Sequence, residues 1–317
     1  MRVAAIDCGT NSIRLLIADV DVSDDGRQHL RDVHREMRVV RLGQGVDVTG
    51  MLGEEALERT FAAVDDYAVL IRDASVERVR FVATSATRDA GNRDVFVAGI
   101  QARLGLVPEV VSGAEEAALS FAGAVSVLPV RENQNVLVVD LGGGSTEFVL
   151  GDATGVKGAL STNMGCVRFT ERYLQSDPPT EAEIMSAEAA IEEKLADVSA
   201  VLPLDAVDSI VGVAGSITTI TAHALGLASY QSELIHAAVV PLEKVDAAAT
   251  SLLSMTRSDR AELGFVHPGR VDVIGAGALI WRTVLRYLAR ISTCGLESAT
   301  SSEHDILDGI ALGAARA

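Results

Sequence analysis

One stretch of this chain occurs twice, and the duplication limits the folds open to it. Val3-Ala-Ala-Ile-Asp-Cys-Gly-Thr-Asn-Ser-Ile-Arg-Leu-Leu-Ile-Ala-Asp19 can be laid over Val136-Leu-Val-Val-Asp-Leu-Gly-Gly-Gly-Ser-Thr-Glu-Phe-Val-Leu-Gly-Asp152 without a gap, at a constant offset of 133 residues. Each copy is an apolar run, a turn of small residues and a second apolar run, which is the pattern of a β-hairpin. A hairpin repeated at that distance predicts two domains of one design. The 317 residues suffice for both cores, since a domain takes roughly 100 to 200 residues. Pro129 and the polar Arg131-Glu-Asn-Gln-Asn135 segment mark the boundary, which predicts domains over 1–125 and 126–317.

The pattern after each hairpin is also shared: a third strand, then helices alternating with strands. In the first half the periodicity predicts strands over 38–42, 79–83 and 109–111 and helices over 54–73, 93–104 and 114–124. In the second it predicts strands over 136–141, 145–151, 156–162 and 209–213, and helices over 167–174, 181–199 and from Ser216. Further helices follow over 241–255, 259–263 and 271–290. A closing helix spans 303–315, with Ser302 and Asp305 as its capping box.

Charge narrows the function classes. Lys plus Arg total 27 against 44 Asp plus Glu, a net charge of −17, which argues against duplex nucleic acid or an anionic membrane as partner. Lys157, Lys194 and Lys244 are the only lysines among the 27 basic residues. Either the chain favours planar forks that grip phosphate or carboxylate, or a GC-rich genome has exchanged Lys for Arg throughout. Cys8, Cys166 and Cys294 form no CxxC pair, which fits a reducing compartment, hence the cytoplasm. The first twenty residues carry Asp7 and Arg14 and do not read as a signal peptide, and no run of about 18 uncharged apolar residues occurs.

Several motifs carry possible chemistry. Asp7-Cys-Gly-Thr-Asn-Ser12 and Asp140-Leu-Gly-Gly-Gly-Ser-Thr-Glu147 are either ordinary glycine turns or cradles whose backbone N–H groups converge on a phosphate; two in register, each led by an acid, favour cradles clamping a phosphate chain between domains. In Ser112-Gly-Ala-Glu-Glu-Ala117 the paired acids either complement a helix dipole or supply a general base. Arg88, at the carboxyl end of a buried strand, is either a solvated side chain or a phosphate fork. Val211-Gly-Val-Ala-Gly-Ser-Ile-Thr-Thr219, with Gly215 and Ser216 at its turn, could take a phosphate or nucleoside, or simply cap a helix. Cys8 to Arg14 spells the C-x5-R loop of cysteine phosphatases, but the residues after Arg14 read as a strand where that chemistry requires a helix. His304-Asp305 reads as a helix start rather than a metal pair.

Together, DCGTNSIRLLIAD, ATSATRDAGN, VSGAEEA, VVDLGGGSTEFVLG, NMGCVRFTERY, GVAGSITTI and HPGRVDVIGAG resemble successive blocks of the exopolyphosphatase and guanosine pentaphosphate phosphohydrolase family over nearly the whole chain. The resemblance implies an α/β fold of two ribonuclease-H-like domains of the actin, Hsp70 and sugar-kinase superfamily, with mixed five-stranded sheets flanking a central cleft. It implies that Glu116 is the catalytic base and that Asp140 and Glu147 hold Mg²⁺ or Mn²⁺ and the water. Gly9, Thr10, Asn11 and Ser12 match one phosphate-binding turn, and Gly142, Gly143, Gly144 and Ser145 the other; Arg88, Gly215 and Ser216 lie beside the phosphate path. The implied partner is inorganic polyphosphate or guanosine pentaphosphate, in a cytoplasmic homodimer, and the long C-terminal helical extension of larger relatives is missing. Two other readings stay open: a kinase or ATP-driven filament protein of the same superfamily, and a weakly catalytic sensor of guanosine penta- or tetraphosphate.

Overall fold

The computed structural model describes residues 1–22, 28–126 and 132–315; Pro129 and Arg131 of the expected boundary lie outside them. Contacts divide the chain into two units, Met1–Gly123 with Asp305–Ala317, and Ala124–His304.

In the first unit β1 (Arg2–Cys8), β2 (Ser12–Val22), β3 (Gln28–Val39), β4 (Arg78–Ala83) and β5 (Glu109–Val110) form one sheet in the order β3-β2-β1-β4-β5. The first three strands are antiparallel neighbours, whereas β4 and β5 run parallel to β1. β1 is buried along almost its whole length because both of its faces are covered. Ala4, Ile6 and Cys8 pack with Val64, Tyr67, Phe96 and Ile100 of the helices Glu54–Asp73 and Arg93–Leu104. Val3 and Ala5, on the other face, pack with Ile306, Leu307, Ile310 and Ala311.

Those last four residues belong to the closing helix Ile306–Ala314, which the sequence pattern assigns to the second domain. The period-2 alternation of a strand explains why it returns to the first unit instead. A central strand that is apolar on both faces needs cover on both, and each Ile or Leu so buried contributes roughly 1.5–3 kcal/mol before ordering costs. The helix Gly113–Val125 approaches it so closely that a Cβ at Gly123 would lie 1.8 Å from the Asp305 carbonyl oxygen, and one at Gly309 would lie 1.9 Å from that of Leu119. The cap also differs from expectation: Asp305 is the N-cap, in a capping box with Asp308.

The second unit repeats the design with one addition. Its strands are β6 (Val136–Leu141), β7 (Thr146–Asp152), β8 (Gly155–Thr162), β9 (Ser209–Val213), β10 (Val239–Pro241) and β11 (Ser298–Ser301), in the order β8-β7-β6-β9-β11-β10. The sheet is therefore six-stranded rather than five-stranded. β10 is a three-residue antiparallel edge on β11 that ends in Pro241, a residue tolerated at an edge because no further strand needs its missing N–H. The helices Glu181–Val201, Leu242–Ser254 and Ile274–Ile291 contribute to its core around Trp281. Among the described residues no helix is long and apolar enough to cross a membrane.

Candidate active site

The duplicated hairpins superpose in register as well as in sequence. Cys8 pairs with Ile13 and Asp7 with Arg14 in the first unit, while Leu141 pairs with Thr146 and Asp140 with Glu147 in the second. Each turn closes through the same bond, Gly9 N–H to the Ser12 carbonyl at 3.0 Å and Gly142 N–H to the Ser145 carbonyl at 3.0 Å.

Both turns also have their carbonyls tied back. The Thr10 carbonyl accepts from Gly43 N–H at 2.8 Å, and the Asn11 carbonyl accepts from the N–H groups of Val40 and Arg41 at 3.1 and 2.8 Å. In the second unit the Gly142 carbonyl accepts from Cys166 N–H at 3.0 Å, Gly143 from Val167 and Arg168 N–H at 2.9 and 3.2 Å, and Gly144 from Arg168 Nε at 2.8 Å. In a trans peptide the C=O and the following N–H point in opposite directions. Pinning these carbonyls therefore turns the N–H groups of Asn11, Ser12, Gly143, Gly144 and Ser145 away from those donors. Gly165 is required by the second turn, since a Cβ there would lie 2.3–2.6 Å from the Gly143 and Gly144 backbone.

The paired acids of the Gly113–Val125 helix separate cleanly. Glu115 is exposed and caps the helix, accepting from Ser112 N–H at 3.0 Å and Ser112 Oγ at 3.1 Å, contacts that hold its carboxyl below the usual range. Glu116 is only 7 % exposed. Burial pushes its carboxyl up to about 7, against the pull of the Arg88 guanidinium and Thr84 and with the push of Asp7. A carboxyl poised there can both accept and hold a proton at neutral pH. Arg88 is not a solvated side chain: its Nη1 donates to Glu116 Oε2 at 2.9 Å and to the Val111 carbonyl at 3.1 Å. Thr10 Oγ1 and Ser85 Oγ are hydrogen-bonded at 2.9 Å, tying the turn to the helix Ser85–Asp89 that carries Arg88.

In the second unit Asp140 and Glu147 are 6 % and 1 % exposed, and as cross-strand partners they share a face of the sheet. Ser161 Oγ donates to Glu147 Oε1 at 2.7 Å. Among the described residues no group of three or more His, Cys, Asp and Glu side chains converges as a metal cage. Two hard oxygen donors side by side fit Mg²⁺, which keeps several waters and takes one or two carboxylates together with substrate phosphates; they do not fit zinc.

Gly215 and Ser216 open the helix Gly215–Ala224. A Cβ on Gly215 would lie 1.7 Å from atoms of the Arg270 guanidinium, and one on Gly277 would lie 2.6 Å from Ser216 Oγ. Arg270 thus lies directly on the Gly215 turn, a placement that sequence reasoning did not assign; the signal available was an arginine in the short HPGR turn of 267–270. Arg14 and Asp305 were also missed as site neighbours. Arg14 Nε and Nη2 donate to Asp7 Oδ2 at 2.9 and 2.6 Å, and its Nη1 donates to Asp305 Oδ2.

The thiol reading of Cys8 does not hold. The side chain is fully buried on β1, and burial with the neighbouring Asp7 charge drives its pKa well above the ordinary thiol value, the reverse of what a thiolate nucleophile needs.

Known proteins are similar to this chain over nearly its whole length. The model of the Ppx/GppA phosphatase family matches residues 21–313. The exopolyphosphatase 2 of Mycobacterium tuberculosis is 50% identical, over 99% of this chain and 98% of that protein. Among solved structures, an exopolyphosphatase-like protein superposes with a TM-score of 0.93 at 43% identity, covering 100% of this chain and 99% of that one. The Aquifex aeolicus Ppx/GppA family member gives 0.80 at 31% identity, covering 99% and 97%. With the family's model spanning both hairpins' downstream strands and relatives matched from end to end, the chain belongs to the Ppx/GppA phosphatase family.

Proposed function

We propose that this chain hydrolyses a terminal phosphoanhydride, releasing orthophosphate from inorganic polyphosphate or guanosine pentaphosphate. The observation that carries the reading is Glu116: a buried carboxylate, set near neutrality by its surroundings and gripped by Arg88, in a chain whose two small-residue turns have their carbonyls tied back. In the first unit Glu116 takes the proton of the attacking water, and the N–H groups of its turn and Arg88 hold phosphate oxygens as charge develops; in the second unit the 142–145 turn and the Gly215–Ser216 turn are the phosphate-binding groups. Asp140 and Glu147 would hold Mg²⁺ or Mn²⁺, which supplies neutralisation of the phosphate charge. No covalent phospho-enzyme is needed, since the chemistry is positioning plus electrostatics. A cytoplasmic homodimer completes the reading, and sedimentation of the purified protein checks the dimer.

The test is Glu116→Gln, with orthophosphate release followed on both substrates side by side. Gln keeps the size and loses the basicity, so turnover falls by about 10² to 10⁴ while substrate binding stays within a few-fold. Retention of more than about a tenth of the wild-type kcat on that scale assigns the base elsewhere. Tight guanosine pentaphosphate binding by the wild type with negligible phosphate release would identify a sensor instead.

A further inference from the structure

The two hairpins differ in kind at one pair. With the 133-residue offset, Asp7 corresponds to Asp140 and Arg14 to Glu147, so the cross-strand partners that are two carboxylates in the second unit are an ion pair in the first. That ion pair continues into the closing helix. Asp305, which takes the remaining arm of the Arg14 fork, is itself held in place: its Oδ1 accepts from Leu307 N–H at 3.0 Å, and its N–H donates to Asp308 Oδ2 at 3.0 Å. Asp308 in turn accepts from Arg35 of β3. Asp7, Asp305 and Asp308 are all buried.

We propose that Arg14, clamped from behind by Asp305, is a positioning residue that holds Asp7 as a fixed anion beside Glu116 and so sets the pH at which Glu116 becomes a competent base. The proposal rests on the reading of Glu116 as the base. Within the first unit, Glu116 faces Arg88 and Thr84 from the β4 end, and β1 runs directly alongside, with Asp7 paired to Val82 and the Cys8 carbonyl accepting from Thr84 N–H at 3.1 Å; Asp7 adds its charge from there, and Glu115 on the same helix is taken up by the Ser112 cap. Asp7 faces Arg14 from β2, Asp305 from the closing helix and its neighbour Cys8; burial pushes its carboxyl above the ordinary aspartate value, and the Arg14 fork is what pulls it back towards the charged form against Asp305. Without Arg14, Asp7, Asp305 and Glu116 become three buried carboxylates, with Arg88 the cation left on Glu116 and Arg35 the one left near Asp305, and such a cluster takes up its first proton at higher pH. Without the Asp305 charge the sign reverses, because Arg14 is then less neutralised and its positive field at Asp7 and Glu116 grows. A merely structural role for Arg14 would lower activity with no such change of sign.

The experiment is the pH dependence of kcat/KM for orthophosphate release from short-chain polyphosphate by the full chain, for wild type, Arg14→Gln, Arg14→Lys and Asp305→Asn. Asn remains a good N-cap, so Asp305→Asn removes charge more than structure. The acidic limb is expected to rise by roughly one pH unit in Arg14→Gln and to stay near wild type in Arg14→Lys, and to fall by roughly half a unit in Asp305→Asn. An unmoved limb in Arg14→Gln, or shifts of the same sign in Arg14→Gln and Asp305→Asn, overturns the proposal. If Arg14→Gln does not fold, Asp305→Asn decides: a fall supports the proposal, and no shift or a rise overturns it. Glu116→Gln in the same assay separates the two readings. High residual turnover there removes the base itself, whereas lost turnover there with an unmoved limb in Arg14→Gln removes only the role of Arg14.

Discussion

Replacing Glu116 by Gln is expected to make the protein more stable as well as inactive, and by an amount that depends on pH. The Glu116 carboxyl stands at about 7 in the folded chain against 4.5 for an unperturbed glutamate. Between those values the folded state binds the extra proton, so wild-type stability is greatest at the acid end of the window and falls as pH rises through it. Integrating one group across this interval, from pH 5 to pH 8, gives a loss of about 2 to 3 kcal/mol. Because the residue is buried, little of this is screened by solvent. The Gln variant lacks the titration. At pH 5, where the wild-type side chain is largely neutral, the two proteins differ only by the pH-independent exchange of hydroxyl for amide against Arg88. The difference in stability between variant and wild type should therefore grow in favour of the variant by about 2 to 3 kcal/mol between pH 5 and pH 8, several degrees in Tm for a chain of this size. Calorimetry of both proteins at the two pH values measures it. A variant-minus-wild-type difference that is the same at pH 5 and pH 8 would falsify the claim that this carboxyl is held neutral by burial.

Phosphate release should require Mg²⁺ or Mn²⁺ and stop with EDTA, and Asp140→Asn should raise the metal concentration needed for half-activation; full turnover in metal-free buffer refutes the Asp140 and Glu147 assignment. Gly165→Ala should cripple phosphate binding, because its methyl would lie within 2.3–2.6 Å of the Gly143 and Gly144 backbone and must displace the turn; a variant with unchanged KM shows that the turn does not hold substrate. With a net charge of −17 repelling a long polyanion except where arginines gather, cleavage of a chain of several hundred phosphates should be distributive and salt-sensitive. A gel time course showing only full-length substrate and free phosphate, with no intermediate lengths, contradicts that.

Features that depend on local pattern were legible before any fold was known. The hairpins of β1–β2 and β6–β7 were legible because period-2 apolar runs and small-residue turns are short-range signals, and because the duplication states them twice. The helices Glu54–Asp73 and Arg93–Leu104 stand at their expected limits for the same reason. β3 was legible only at its end: Gln28–Val39 is a polar edge strand held by ion pairs such as Arg35 with Asp308 and Arg31 with Asp19, and no apolar alternation announces it. Local pattern could not tell the two adjacent glutamates apart, and it was the family resemblance that singled out Glu116; one residue of helical rotation separates an exposed cap from a buried carboxyl, and packing put Glu115 outside and Glu116 inside. The closing helix likewise follows 291 residues after Arg14, and its return to the first sheet is decided by a bare apolar face that no neighbouring segment covers. Composition and spacing name the groups that can do chemistry, but the protonation of a buried carboxyl depends on the charges that distant strands and helices bring beside it, and those exist only once the chain has folded.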